Sequence, residues 1–359
     1  MLKHFKGSIW VTILGIIAAF IWGFQKHPGH AFLCVFIVLF LSILEVTLSF
    51  DNAVVNAMKL EKMTEKWQHR FVTWGILIAV FGMRFLFPVL VVAIFAGLSV
   101  MQVTNLALND VEQYAHYLHL CHAPLVTFGG AFLFMLFLSY FCHEEKDVHW
   151  LEKIEVPLQK LHMMKSTEVI ITLLLVFGVH YVVPAEKQLP VLIAGTSGIL
   201  MYLLIDGVSN TLEKIAEKRA AVTGEAAKLG LVGFIYLELI DASFSLDGVL
   251  GAFAISKDII LITIGLAIGA MFVRSLTLYM VELKTLKQYL YLEHGAHWAI
   301  GFLALIMFVS TTYEVPEVVT GMAGLIIVGW AFIDSLKYNK KQQLLENSEK
   351  VEIEKQENC

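Results

Sequence analysis

Long apolar runs separated by short polar stretches dominate the chain, and most of the runs have the length of a helix that crosses a bilayer. About 20 mostly apolar residues suffice for one crossing. The pattern predicts ten spans, at 9–24, 31–58, 71–98, 124–142, 167–183, 190–206, 229–255, 259–283, 296–314 and 317–336. The first is short and follows Lys3 and Lys6 as a leader peptide would, but no small-residue cleavage site follows Phe24, so it reads as a retained span. Residues 143–166 and 207–228 are charged and read as loops or helices outside the membrane. Residues 101–123 are polar and lack Lys and Arg, and 337–359 read as a helical extension fraying into a disordered tail.

Composition agrees with the pattern. The 359 residues are 58% hydrophobic and 16% charged, with a mean hydropathy of +0.72, far from the balance of a soluble domain. The net charge of −5 carries little information, because most charge is segregated into the connections and the tail, and nothing supports nucleic-acid binding. Cys34, Cys121, Cys142 and Cys359 are widely spaced and contain no CxxC pair, which argues against a disulfide framework or a thiolate zinc site.

The basic residues orient the spans. Starting from the N-terminus, alternate connections hold 21 of the 26 Lys and Arg, the intervening ones hold 3, and the remaining two, Arg84 and Arg274, lie inside spans. Both termini are therefore expected on the cytoplasmic side of an inner (plasma) membrane of bacterial type. On this topology the second span runs inward and the seventh outward.

These two antiparallel spans carry related acidic motifs. Glu45-Val-Thr-Leu-Ser-Phe-Asp51-Asn52 and Asp241-Ala-Ser-Phe-Ser-Leu-Asp247-Gly248 each have an acid, a Ser four residues on and an Asp six residues on. Further correspondences follow: Gly75 to Arg84 matches Gly265 to Arg274, and Gly130 to Ser139 matches Gly301 to Ser310, each pair nine residues apart. The expected fold is an all-α polytopic membrane protein of about ten transmembrane helices containing a 3+3 inverted-topology repeat. Its parts are an N-terminal span (1–30), repeat A (31–142), cytoplasmic loops with two peripheral spans (143–228), repeat B (229–314), a last span (315–336) and a tail (337–359).

Carboxylates inside a bilayer are expensive and point to function; in inverted-repeat transporters the site lies between the halves. On one helix face Glu45, Ser49 and Asn52 align, as do Asp241, Ser245 and Gly248, with Glu238 joining the second face. Asp51 and Asp247 lie roughly 120° away, so both acids of a motif meet one ion only where the helix unwinds. The five acids Glu45, Asp51, Glu238, Asp241 and Asp247, less Arg84 and Arg274, give a net −3 if all are ionised. That balance suits a divalent cation, and oxygen-only ligands favour Mn²⁺, Mg²⁺ or Ca²⁺ over Zn or Cu. Two other readings of the same residues stand: a proton relay, and structural pairing of each Arg with an acid.

The two motifs, with Arg84 and Arg274 behind them, resemble the TerC-type membrane proteins of the LysE superfamily, within them a longer branch classed as a domain of unknown function. The segment Tyr291-Leu-Glu-His-Gly-Ala-His-Trp298 is similar to that branch. The resemblance covers most of residues 31–330. It implies a transporter of two inverted three-helix repeats, a link to tellurium resistance and, for better-understood relatives, manganese export. It also implies a metal site on Glu45, Asp51, Asp241 and Asp247, with Asn52 as a neutral oxygen ligand. Gly248 stands where the first copy has Asn52, so the second half offers one ligand fewer.

The expected function is thus divalent cation transport, Mn²⁺ efflux first, with a tellurium-resistance or membrane assembly and scaffold role as the alternative. An intramembrane hydrolase is disfavoured, because the Ser and Arg neighbours form no catalytic arrangement. The expected partners are the lipid bilayer and the ion, with a homodimer or other membrane proteins as further candidates. Glu293, His294 and His297 form a candidate secondary site at the cytoplasmic lip of the ninth span, against a reading of plain capping and hydrogen bonding. His116, His119 and His122, and the group His143, Glu144, Glu145, Asp147 and His149, read chiefly as polar helix faces.

Overall fold

The computed structural model describes residues 2–26, 29–61, 63–78, 81–82, 86–142, 148–161, 166–223, 230–231, 233–235, 237–238, 241, 252, 255–256, 258–282, 288–313 and 315–357. Among them there is no strand. The helices are α1 (Leu2–Lys26), α2 (Ala31–Leu48), α3 (Phe50–Glu61), α4 (Glu65–Leu77), α5 (Phe87–Ala96), α6 (Val100–Asn109) and α7 (Val111–Phe141). They continue as α8 (Glu152–Lys160), α9 (Thr167–Val182), α10 (Ala185–Thr223), α11 (Ile259–Glu282), α12 (Leu292–Ser310) and α13 (Glu317–Glu357).

Among the described residues, seven helices are long and apolar enough to cross a membrane: Phe5–Lys26, Ala31–Leu48, Glu112–Phe141, Ala185–Val208, Ile259–Glu282, Leu292–Ser310 and Gly321–Gln342. The chain is an integral membrane protein. These seven coincide with the first, second, fourth, sixth, eighth, ninth and tenth predicted spans. The fifth is the shorter apolar helix Thr167–Val182, and most of the seventh lies outside the described residues. In the third, α4 ends at Leu77, π-type turns involve Ile78, Phe81, Gly82 and Leu86, and α5 begins at Phe87 with Pro88 in its first turn.

Local chemistry explains several boundaries. Gly97 closes α5 in the left-handed conformation (φ 67°). Ser99 and Gln102 form a reciprocal capping box on α6, and Asp110 caps α7 by accepting from the Gln113 N–H. That cap starts α7 at Val111, well before the predicted 124, so the three-histidine run belongs to the same helix as the fourth span. The last span and the tail form one helix, α13, through Glu357.

Helix α2 shows the reversed polarity of a membrane helix. Its buried positions, Ala31, Cys34, Val38, Leu41, Ser42 and Glu45, recur at helical spacing and include the polar residues, while Phe32, Leu33, Phe36, Phe40 and Ile43 face outward. The buried stripe packs on α11. Helix α1 covers both: Ser8 Oγ donates to the Met271 carbonyl at 2.9 Å and lies 2.7 Å from Ser275 Oγ. The largest core joins α3, α7, α9, α10, α12 and α13, with Phe132, Leu133, Met135 and Phe141 at its centre.

Candidate functional site

The site begins where α2 meets α11. Ser42 Oγ donates to the Gly265 carbonyl at 3.0 Å. One turn on, a Cβ at Gly269 would stand 2.5 Å from both Cβ and Cγ of Glu45, so only glycine admits this approach. Gly265 and Gly269 make the small-xxx-small spacing that brings membrane helices close. Glu45 is thereby 1% exposed. Ser49 Oγ donates to Glu45 Oε1 at 3.2 Å. Ser49 itself separates α2 from α3 with φ −102° and ψ 16°, a slight break in which the bonds Ser49 N–H to Glu45 O and Ala53 N–H to Ser49 O persist.

The first turn of α3 then reaches the second motif. Asn52 Nδ2 donates to Asp241 Oδ1 at 2.7 Å, joining residues 189 apart in sequence within the buried interior. Asp241 Oδ2 faces Arg274 Nη2 at 3.6 Å, and Glu238 Oε1 faces the same nitrogen at 3.3 Å. The spacing of three places both acids on one helix face. Arg274 Nη1 donates to the Phe71 carbonyl at 2.8 Å, and the guanidinium lies 4.1 Å from the Phe71 ring. Low dielectric makes an uncompensated charge costly, so this Arg and its acids need one another. With all ionised, Glu45, Glu238, Asp241 and Arg274 carry a formal −2.

Asp51 lies within α3, but its side chain, like the whole of Arg84, Ser245 and Asp247, falls outside the described residues. Among the described residues no group of three or more His, Cys, Asp and Glu is disposed to hold a metal ion. What is described is therefore two sets of contacts, Glu45 with Ser49, and Asn52 with Asp241, Arg274 and Glu238.

Glu293, His294 and His297 do not converge. His294 Nδ1 donates to Glu155 Oε2 at 3.0 Å, and His297 Nδ1 donates to the Glu293 backbone oxygen at 2.9 Å while stacking on Tyr140 at 3.5 Å. Glu155, 1% exposed on α8, also accepts from Trp298 Nε1 at 2.9 Å and from the Trp150 N–H at 3.0 Å. Burial pushes its carboxyl up, but hydrogen bonds from His294, Trp298 and the backbone outweigh this and hold it at about 2. Of the other histidines, His116 and His119 are exposed on α7, and His149 lies 2.8 Å from Gln159 Oε1. His143, Glu144, Glu145 and Asp147 are outside the described residues.

Two participants escape a reading of the sequence. Glu155 looks like any acid in a short amphipathic helix. The Phe71 carbonyl is backbone and carries no side-chain signal. Asn56, 2% exposed with an Oδ1 that makes no hydrogen bond among the described residues, sits one turn beyond Asn52.

Comparison with known proteins places the chain by family alone. No curated protein and no solved structure matches it. A family model described as "Protein of unknown function (DUF475)" matches residues 50–342, most of the chain, and the protein belongs to that family.

Proposed function

We propose that this protein is not an enzyme but a transporter of a divalent metal cation, Mn²⁺ outward, through a midplane site between two halves of opposed topology. The observation that carries the reading is the buried Asn52–Asp241 contact at 2.7 Å, which joins the two related motifs in the protein interior. In the proposed site Glu45, Asp51, Asp241 and Asp247 supply charged oxygens, Asn52, Ser49 and Ser245 supply neutral ones, and Glu238 ligates or carries a proton. Ten spans, a 3+3 inverted repeat over 31–142 and 229–314, and cytoplasmic termini complete the proposal. Its support is the partition of basic residues and the paired motifs. The resemblance to TerC-type proteins supplies Mn²⁺ as the first ion to test.

Titration calorimetry of the purified chain with Mn²⁺, and elemental analysis of cells expressing wild type or an Asp51→Asn/Asp247→Asn double variant under excess Mn, Mg, Ca, Fe and Zn, test the reading together. We expect saturable binding, lost in the double variant, and lower cellular Mn with the wild type only. Binding should also weaken as pH falls, because protons compete for the carboxylates. No binding, together with unchanged metal content in the variant, would remove the transporter reading. A membrane-assembly role would then lead, favoured by α10 and α13, which run 39 and 41 residues and project charged turns beyond their apolar parts.

A further inference from the structure

The contacts of Arg274 are uneven, and the unevenness bears on how the proposed site takes up its ion. Arg274 stands on α11 and is 5% exposed. Its close bond, 2.8 Å from Nη1, goes to the Phe71 carbonyl of α4. The ring of Phe71 supports the guanidinium face at 4.1 Å, and Gly75, four residues on and on the same face, leaves room for it. A Cβ at Gly75 would press on Arg274 Nη1 and stand 2.6 Å from Glu238 Oε1. The carboxylates lie further off. Nη2 is 3.3 and 3.4 Å from the two Glu238 oxygens and 3.6 Å from Asp241 Oδ2, beyond the roughly 2.7–2.9 Å of a close charge-assisted bond. Helix α4 thus grips the guanidinium through backbone and ring, while two acids share its far side loosely.

We infer that Arg274 is a built-in counter-cation that competes with the transported divalent ion for Glu238 and Asp241, and that ion entry displaces Nη2 while α4 keeps hold of Nη1. This rests on the transport reading above. The physical ground is simple. A fixed positive charge beside two buried acids offsets their repulsion when no other cation serves them, and opposes any second cation that approaches the same oxygens. A guanidinium anchored elsewhere can yield without leaving, which keeps the site weak enough to release what it binds.

Three variants of the full chain test this, titrated with MnCl₂ in detergent. Arg274→Gln removes the competitor and should tighten Mn²⁺ binding by about tenfold or more while slowing efflux from cells; a change of that size is typical of contacting charged groups. Glu238→Gln should weaken binding about tenfold. The double variant loses both charges and should return to within about threefold of wild type. Wild-type binding without any gain in Arg274→Gln sinks the inference alone and makes the arginine a structural partner. Absence of binding in wild type and all variants sinks the transport reading and this inference with it. Should Arg274→Gln not fold, the double variant decides against Glu238→Gln: tighter binding upholds competition, and equal or weaker binding refutes it.

Discussion

Glu155 accepts from three donors at one carboxylate, tying the loop before α8 to the start of α12, and Trp150 in turn reaches the shaft of α13 through Nε1 to Asp334 Oδ2 at 3.2 Å. Its carboxyl lies below its ordinary 4.5, at about 2 in the folded protein. A depressed carboxyl stabilises the fold in full above the unfolded value and loses that contribution as pH drops through the folded one. Glu155→Gln should therefore destabilise the protein by about 2 kcal/mol near neutral pH, the scale of hydrogen bonds to a charged group. The gap between wild type and variant should close from about pH 4.5 down to about pH 2. Thermal unfolding in detergent across that range checks both the size and the sign. At this scale the sequence told unequal amounts. Glu238, Asp241 and Arg274 announce themselves as charges in apolar runs. Glu155 does not, because its partner His294 is 139 residues away and an acid in a short charged helix is ordinary.

Among the elements, the α2–α11 pair is the one on which the site depends most. Gly269 sets the approach, and Glu45 lies against it. Gly269→Ala should cost about 1–3 kcal/mol, the usual range for overpacking a tight contact, since the added methyl meets Glu45 Cβ and Cγ rather than the end of a flexible chain. Unfolding midpoints of the purified variant measure this, and its Mn²⁺ affinity should fall in parallel as Glu45 shifts. Element identity was readable where an apolar run was long, as in α11 and α12, but the caps at Ser99 and Asp110 went unread, so 101–123 was not resolved into α6 and the start of α7. The π-type turns between α4 and α5 were not legible either. Hydropathy reports that a stretch is apolar and does not distinguish α from π winding. Residues such as Gly82 and Pro88 hint at interruption without dictating it.

For the molecule as a whole, the property to test is which ends face which side. The distribution of Lys and Arg predicts opposite sides for the entry to α4 and the entry to α7. Single-cysteine labelling at Glu65→Cys and Asp110→Cys, in a background without native cysteines, should give opposite accessibility to a membrane-impermeant reagent. Labelling from the same side would end the inverted-repeat proposal. Membrane residence was legible from composition alone; the pairing of distant segments was legible only as a repeated motif, because contacts such as Asn52–Asp241 are made by packing and leave no local mark.

One further property follows from α13 being a single helix. From Asn339, whose Nδ2 donates to the Gln288 carbonyl, to Glu357 the rise of 1.5 Å per residue makes an arm of about 27 Å. Its base is fastened again one turn back by Ser335 Oγ accepting from the Tyr291 N–H at 2.9 Å. An arm with a fulcrum at its base converts a sideways pull at the tip into torque on the start of α12. Whatever grasps the far end, a protein or a surface, gains mechanical leverage over the helix that carries His294 and His297, without touching the membrane-embedded part at all.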